Sequence, residues 1–109
     1  MNEDLHIKID VPIIENQPCL KEFYDFLIRE FNGFKVITND AHGQWKNSDT
    51  QKVEHDVIQL IEIYTKRDLI ETLSILDFQL KKLGLILKQK VMFYTINNKA
   101  YYVESDNRE

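Results

Sequence analysis

The chain has 109 residues, of which 43% are hydrophobic, 29% charged and 11% aromatic, a balance that specifies one globular domain and excludes a disordered or low-complexity chain. Eighteen acids against fourteen lysines and arginines leave a net charge of −4, which argues against general nucleic-acid binding, because neutralising phosphates needs a concentrated basic surface. The single cysteine, Cys19, cannot form an internal disulfide, no run is long enough for a membrane span, and the opening MNEDLHIKID lacks the basic start and apolar core of a signal peptide; together these lead to the expectation of a cytoplasmic protein.

Leu5, Ile7, Ile9 and Val11 alternate with His6, Lys8 and Asp10, the pattern of a half-buried strand that Pro12 is placed to end. Asn16 or Gln17 then caps a helix with Pro18 in its first turn. Leu20, Phe23, Tyr24, Leu27, Ile28 and Phe31 follow at steps of three and four, and Gly33 stands where a left-handed C-cap belongs. FKVIT resumes β-type residues. VEHDVIQLIEIYT is apolar enough for a central strand, with a phase change near Gln59 that calls for a bulge or for contact on both faces. Thr65 and Asp68 open a second helix with the stripe Leu69, Leu73, Leu76, Leu80 and Leu83, which Gly84 is placed to close. KQKVMFYTI and KAYYV, separated by Asn97 and Asn98, give a fourth strand and allow an extra C-terminal strand by a short return hairpin.

The element order is that of an α+β, ferredoxin-like βαββαβ domain, an antiparallel sheet with two helices on one face. One domain is expected over 1–103, with a frayed tail over 104–109. The odd residues of the first strand should meet the helices, which leaves His6, Lys8 and Asp10 on an open face of the kind that takes a ligand or a second subunit.

The polar stretch NDAHGQWKNSDTQKVEHD carries the chain's only tryptophan. With a turn centred on Ser48 and Asp49, Trp45 lies across from Lys52, Gly43 from Glu54, and His42 from His55. Trp45 and Lys52 then form a cation–π pair, and Trp45 either covers an apolar edge of its own or a neighbouring subunit or stacks on a ligand ring. His42 and His55 have the chemistry of metal ligands, but Glu54 and Asp56 face away from His55 in a regular strand, so no metal is expected; two protonated histidines would instead repel at mildly acidic pH. The apolar neighbours of Cys19 predict a buried structural thiol. Tyr94, Tyr101 and Tyr102 with Phe93 read as core on one side of the last strands and interface on the other, since no basic, Gly-rich RNA-binding motif accompanies them.

The spacing of FNGFKVITNDAHGQWKN and VEHDVIQLIEIYT resembles a family of small uncharacterised bacterial and phage proteins, in which a Gly-x-Trp hairpin is followed by a glutamate opening the next strand. The matching positions are Gly33, Val36, Gly43, Trp45 and Glu54, and the closing KQKVMFYTINNKAYYV is similar as well, so the resemblance covers residues 31 to 103. It implies a compact βαββαβ domain and a phage or mobile-element setting and brings no established activity. In topology the chain also resembles the CutA and PII-like trimers, whose long second hairpin packs against neighbouring subunits.

These readings lead to the expectation of a non-enzymatic binding module, a homo-oligomer of two or three copies, which recognises a small molecule or a host protein through the 39–56 hairpin and the adjoining sheet face. Trp45 is the first expected contact; Lys52 supplies a cation, His42 and His55 switchable donors or acceptors, and Gln44 an amide. No cofactor is expected. The alternatives are a small metal-assisted hydrolase using His42 and His55, and a purely structural oligomer.

Overall fold

The alternation at the start of the chain becomes strand β1 (Leu5–Ile13), in which Leu5, Ile7, Ile9 and Val11 are buried and the residues between them are half-buried. The computed structural model describes residues 4–105. After β1 come α1 (Lys21–Phe31), β2 (Lys35–Lys46), β3 (Val53–Thr65), α2 (Leu69–Ile86), β4 (Val91–Ile96) and β5 (Lys99–Glu104). The five strands form one antiparallel sheet in the order β2-β3-β1-β4-β5. The fold is therefore α+β with two helices, and its sheet differs from that of a simple ferredoxin domain, because β5 extends it beyond β4.

One apolar cluster joins the odd residues of β1 to Phe23, Phe26, Leu27 and Phe31 of α1, to Leu76, Leu80 and Leu83 of α2, and to Ile61, Ile63, Met92, Tyr94 and Ile96 of the sheet. Both helices thus cover the same sheet face. Each such side chain contributes roughly 1.5–3 kcal/mol on leaving water. Tyr94 is enclosed, stacks on Tyr101 with ring centroids 5.3 Å apart and donates its hydroxyl hydrogen to Asp77 Oδ1 at 2.9 Å. Burial raises its pKa first, and the bond to Asp77 adds to the shift.

Several boundaries differ from expectation. The ladder of β1 continues through Pro12 to Ile13, because only β3 pairs with β1 beyond Asp10 and a missing N–H is tolerated where one side is unpaired. Helix α1 begins at Lys21, later than Pro18. Asn16 takes a positive φ of 57° and the Gln17 side chain accepts from the Ile14 N–H at 2.8 Å, so these residues build a turn and no cap. The left-handed C-cap is Asn32, at φ 67°, one residue before Gly33. The phase change at Gln59 produces no bulge in β3 itself; the irregularities fall in β2, between Val36 and Ala41.

Asp68 caps α2, its carboxylate accepting from the Glu71 N–H at 3.1 Å, but Gly84 does not end that helix. Gly84 is there for close approach: a Cβ would lie 2.5 Å from Ser105 Oγ and 3.1 Å from Met92 Cγ. Glu104, expected in a frayed tail, closes β5, and Ser105, expected there too, is buried, with its N–H donating to Lys90 O at 2.9 Å and its hydroxyl bonded to Gln89 O. Residues 106–109 lie outside the described residues. Cys19 is exposed, against the expectation of a buried thiol, because α1 starts after it and does not fold it inward. Among the described residues no helix is long and apolar enough to cross a membrane.

Candidate functional site

Because opposed residues in an antiparallel pair share a face, the registers fix what stands on the side of the sheet away from the helices. Glu62 lies across from Lys8, which lies across from Thr95; Leu60 lies across from Asp10, which lies across from Phe93, which lies across from Tyr102. His6 and Tyr64 form the row beside Glu62 and Lys8. The even residues of β1 therefore carry the polar set of this face, as their alternation predicts.

Two different environments meet there. Asp10 is half-buried between Leu60 and Phe93, and its side chain makes no hydrogen bond or ion pair with another described residue. Loss of water around it, with nothing to compensate, pushes its pKa above the ordinary carboxylate value. Beside it the Phe93 and Tyr102 rings are tilted together at 5.2 Å, with Tyr102 69% exposed and so presenting a free aromatic surface.

Two strand positions away the electrostatics reverse. Glu62, whose side chain is 11% exposed, accepts from His6 Nε2 at 2.5 Å and from the Tyr64 hydroxyl at 3.3 Å through Oε2, and meets Lys35 Nζ at 3.3 Å through Oε1. His6 also stacks on Tyr64, with centroids 4.4 Å apart and ring planes 5° from parallel. The bond from His6 is the main cause of a lowered Glu62 pKa, Lys35 adds to it, and burial opposes it. Glu62 is therefore held ionised while Asp10, its diagonal neighbour, is pushed toward the neutral form.

The hairpin keeps His42, Gln44 and His55 on one face but does not form the cross-strand pairs expected of it. Trp45 pairs with Glu54, Gln44 with His55, and His42 with Val57, a register displaced by two residues from one centred on Ser48 and Asp49. The faces survive a two-residue shift, but the named pairs do not. The turn occupies 47–52: the Asn47 side chain accepts from the N–H groups of Asp49 and Thr50, and the Asn47 N–H donates to Lys52 O at 2.8 Å, so Lys52 lies outside both strands and is not the cross-strand partner of Trp45. Trp45 lies along its own strand over Gly43, where a Cβ would come 2.8 Å from its Cζ2, and its indole N–H donates to the Asp56 carboxylate. His42, Gln44 and His55 are exposed on the other side of the hairpin. Among the described residues no group of three or more His, Cys, Asp or Glu side chains could hold a metal ion. A groove between α1 and α2 beside Cys19 and Phe23 has a volume of about 30 Å³, room for about two waters. The open sheet face is the better candidate.

No protein-family model and no curated protein matches the chain. Among solved structures it is similar to a phage SAM lyase in complex with S-methyl-5'-thioadenosine, with a TM-score of 0.69 and 11% identity over 100% of this chain and 95% of that one. The likeness is one of fold. It overturns the expectation of a non-enzymatic binding module built on the 39–56 hairpin, because a protein that shares this fold almost from end to end is an enzyme.

Proposed function

We propose that the chain is a lyase acting on S-adenosylmethionine or a closely related adenosylsulfonium, with the substrate on the open face of a ferredoxin-like sheet extended by β5. The observation that carries the reading is the partnerless Asp10 carboxylate directly across from the Phe93–Tyr102 pair, on a fold shared with a lyase that binds a thioether nucleoside. The exposed Tyr102 ring offers a stacking platform for adenine, an interaction of about 1–3 kcal/mol for a base on an aromatic side chain. Asp10, with its Cβ about 5 Å from that of Phe93, accepts the hydroxyl hydrogens of the ribose.

The chemistry needs no water and no redox partner. The bond from sulfur to the four-carbon amino-acid arm breaks, its electron pair stays on sulfur to give the neutral thioether S-methyl-5'-thioadenosine, and the arm leaves as a lactone once its own carboxylate has bonded to the carbon released. Positive sulfonium and negative carboxylate neutralise each other in the transition state, so an apolar, dry surface favours the reaction over the solvated substrate. Leu60 and Phe93 flank that place on the sheet. A face open on one side needs a roof to exclude water, and the expected homo-oligomer would supply it from a second copy.

The test is incubation of the purified protein with S-adenosylmethionine, with the products separated by mass-detected chromatography. S-methyl-5'-thioadenosine should form well above the spontaneous rate, and Asp10→Asn should weaken binding of that nucleoside. Production at the spontaneous rate by a folded wild-type protein would exclude the lyase reading.

A further inference from the structure

The polar cluster beside the adenosyl site has a place left in it. A carboxylate offers about four acceptor positions. On Glu62, Oε2 is occupied by His6 and Tyr64, whereas Oε1 meets only Lys35, at 3.3 Å. The two sides of this cluster are also unequal in rigidity. The Glu62 side chain is 11% exposed and braced by a stacked His6–Tyr64 pair, whereas the Lys35 side chain is 70% exposed at the end of a flexible stem. An exposed lysine gains little from such a pairing and is readily displaced. Its ammonium marks where another ammonium fits.

We propose that Glu62 binds the α-ammonium of the substrate's amino-acid arm, which displaces Lys35 from Oε1. The inference rests on the adenosyl-site reading above, since it takes the arm to extend from a nucleoside held at Asp10 and Phe93–Tyr102. The spacing fits. Asp10 pairs with Leu60, and Glu62 is two residues along the same face of β3, a diagonal whose Cβ atoms are about 7–8 Å apart. The seven bonds from the ribose hydroxyl carbon to the α-nitrogen of S-adenosylmethionine cover about that distance when partly folded. Anchoring the ammonium has a chemical consequence: the arm is fixed by the group that does not react, and its carboxylate stays free to attack the carbon on sulfur. Glu62 is thus a specificity-determining residue that selects an adenosyl ligand carrying a primary amine over one that lacks it.

The experiment compares two non-reacting probes by calorimetric titration at low ionic strength. S-adenosylhomocysteine carries the arm without a reactive sulfonium, and S-methyl-5'-thioadenosine lacks the arm. The wild type should bind the first about tenfold more tightly than the second, the scale of one charge-assisted hydrogen bond. Glu62→Gln should bring the two to parity with the nucleoside affinity unchanged, and circular dichroism reports whether that variant stays folded. Lys35→Met alters a surface side chain and serves as the second variant. It should tighten S-adenosylhomocysteine binding a few-fold by removing the competing cation, and leave S-methyl-5'-thioadenosine unaffected. A preference that survives Glu62→Gln, or a Lys35→Met variant that binds the arm-bearing probe no better, would overturn the role of Glu62 and leave the adenosyl site standing. Failure of the wild type to bind either probe would overturn both.

Discussion

Asp10→Asn should make the protein more stable at neutral pH while weakening its nucleoside binding. The side chain keeps its shape and loses its charge. Asp10 is an acid whose folded pKa is raised above the ordinary 3.8 by burial alone, so between those two values the folded state holds a proton that the unfolded state has released. Stability of the wild type consequently falls as pH rises through that window and stays lowered above it. A wholly enclosed unpaired ion would cost several kcal/mol. Asp10 stands on an uncovered face and keeps part of its hydration, which reduces the penalty to about 1 kcal/mol, in the range by which single stabilising substitutions commonly act. For a domain of this size that amounts to a rise of about 4 °C in Tm. Differential scanning fluorimetry of both proteins from pH 7.5 down to pH 4 measures it. The gap should be largest at neutral pH and narrow as the wild-type carboxyl takes up its proton. A variant less stable than wild type at pH 7, or a gap independent of pH, would refute the reasoning and show that Asp10 has a stabilising partner.

Glu62→Gln should act on the opposite limb of the pH profile. The Glu62 pKa is lowered by His6 and Lys35, so its ion pairing supports the fold above the ordinary value of 4.5 and is lost as pH falls below it; urea unfolding at pH 6 and pH 3.5 should show a shallower acid loss in the variant. Gly84→Ala should destabilise by about 1–3 kcal/mol through overpacking, because its Cβ would meet Ser105 at 2.5–2.6 Å, and thermal unfolding should show a clear drop in Tm where an ordinary helical Gly→Ala change would raise it.

The sequence was most legible where one residue type answers to one constraint. The alternation of β1 predicts both its buried odd residues and the polar set His6, Lys8 and Asp10 on the opposite face. Asn97 and Asn98 predict the tight β4–β5 return and do adopt positive φ, at 50° and 70°. Glycines were misread because the same residue serves two purposes: Gly84 looks like a helix stop and instead makes room for Ser105, while Asn32 takes the left-handed position beside Gly33. The hairpin register was out of reach for a different reason. A six-residue turn, in which the Asn47 side chain accepts from the N–H groups of Asp49 and Thr50, leaves the same face pattern as a tighter turn.

The candidate site was hidden by distance along the chain. Asp10, Glu62, Phe93 and Tyr102 come from four strands, and only the pairing of β1 with both β3 and β4 brings them into adjacent rows. The concentration of rare residue types in 39–56 drew attention to a segment whose tryptophan is engaged with Gly43 and Asp56 of its own hairpin. The even parity of β1 was read correctly as an open polar face, but its neighbours Glu62, Phe93 and Tyr102 had no address until the partner strands were known.

That strand carries two messages interleaved one residue apart. Ile7, Ile9 and Val11 are wholly enclosed by the helices, while His6, Lys8 and Asp10 answer to whatever meets the other side. Selection can rewrite one set without touching the other. Such a sheet can change its chemistry while its backbone persists, which is how two chains with 11% identity can share a fold over nearly their full lengths.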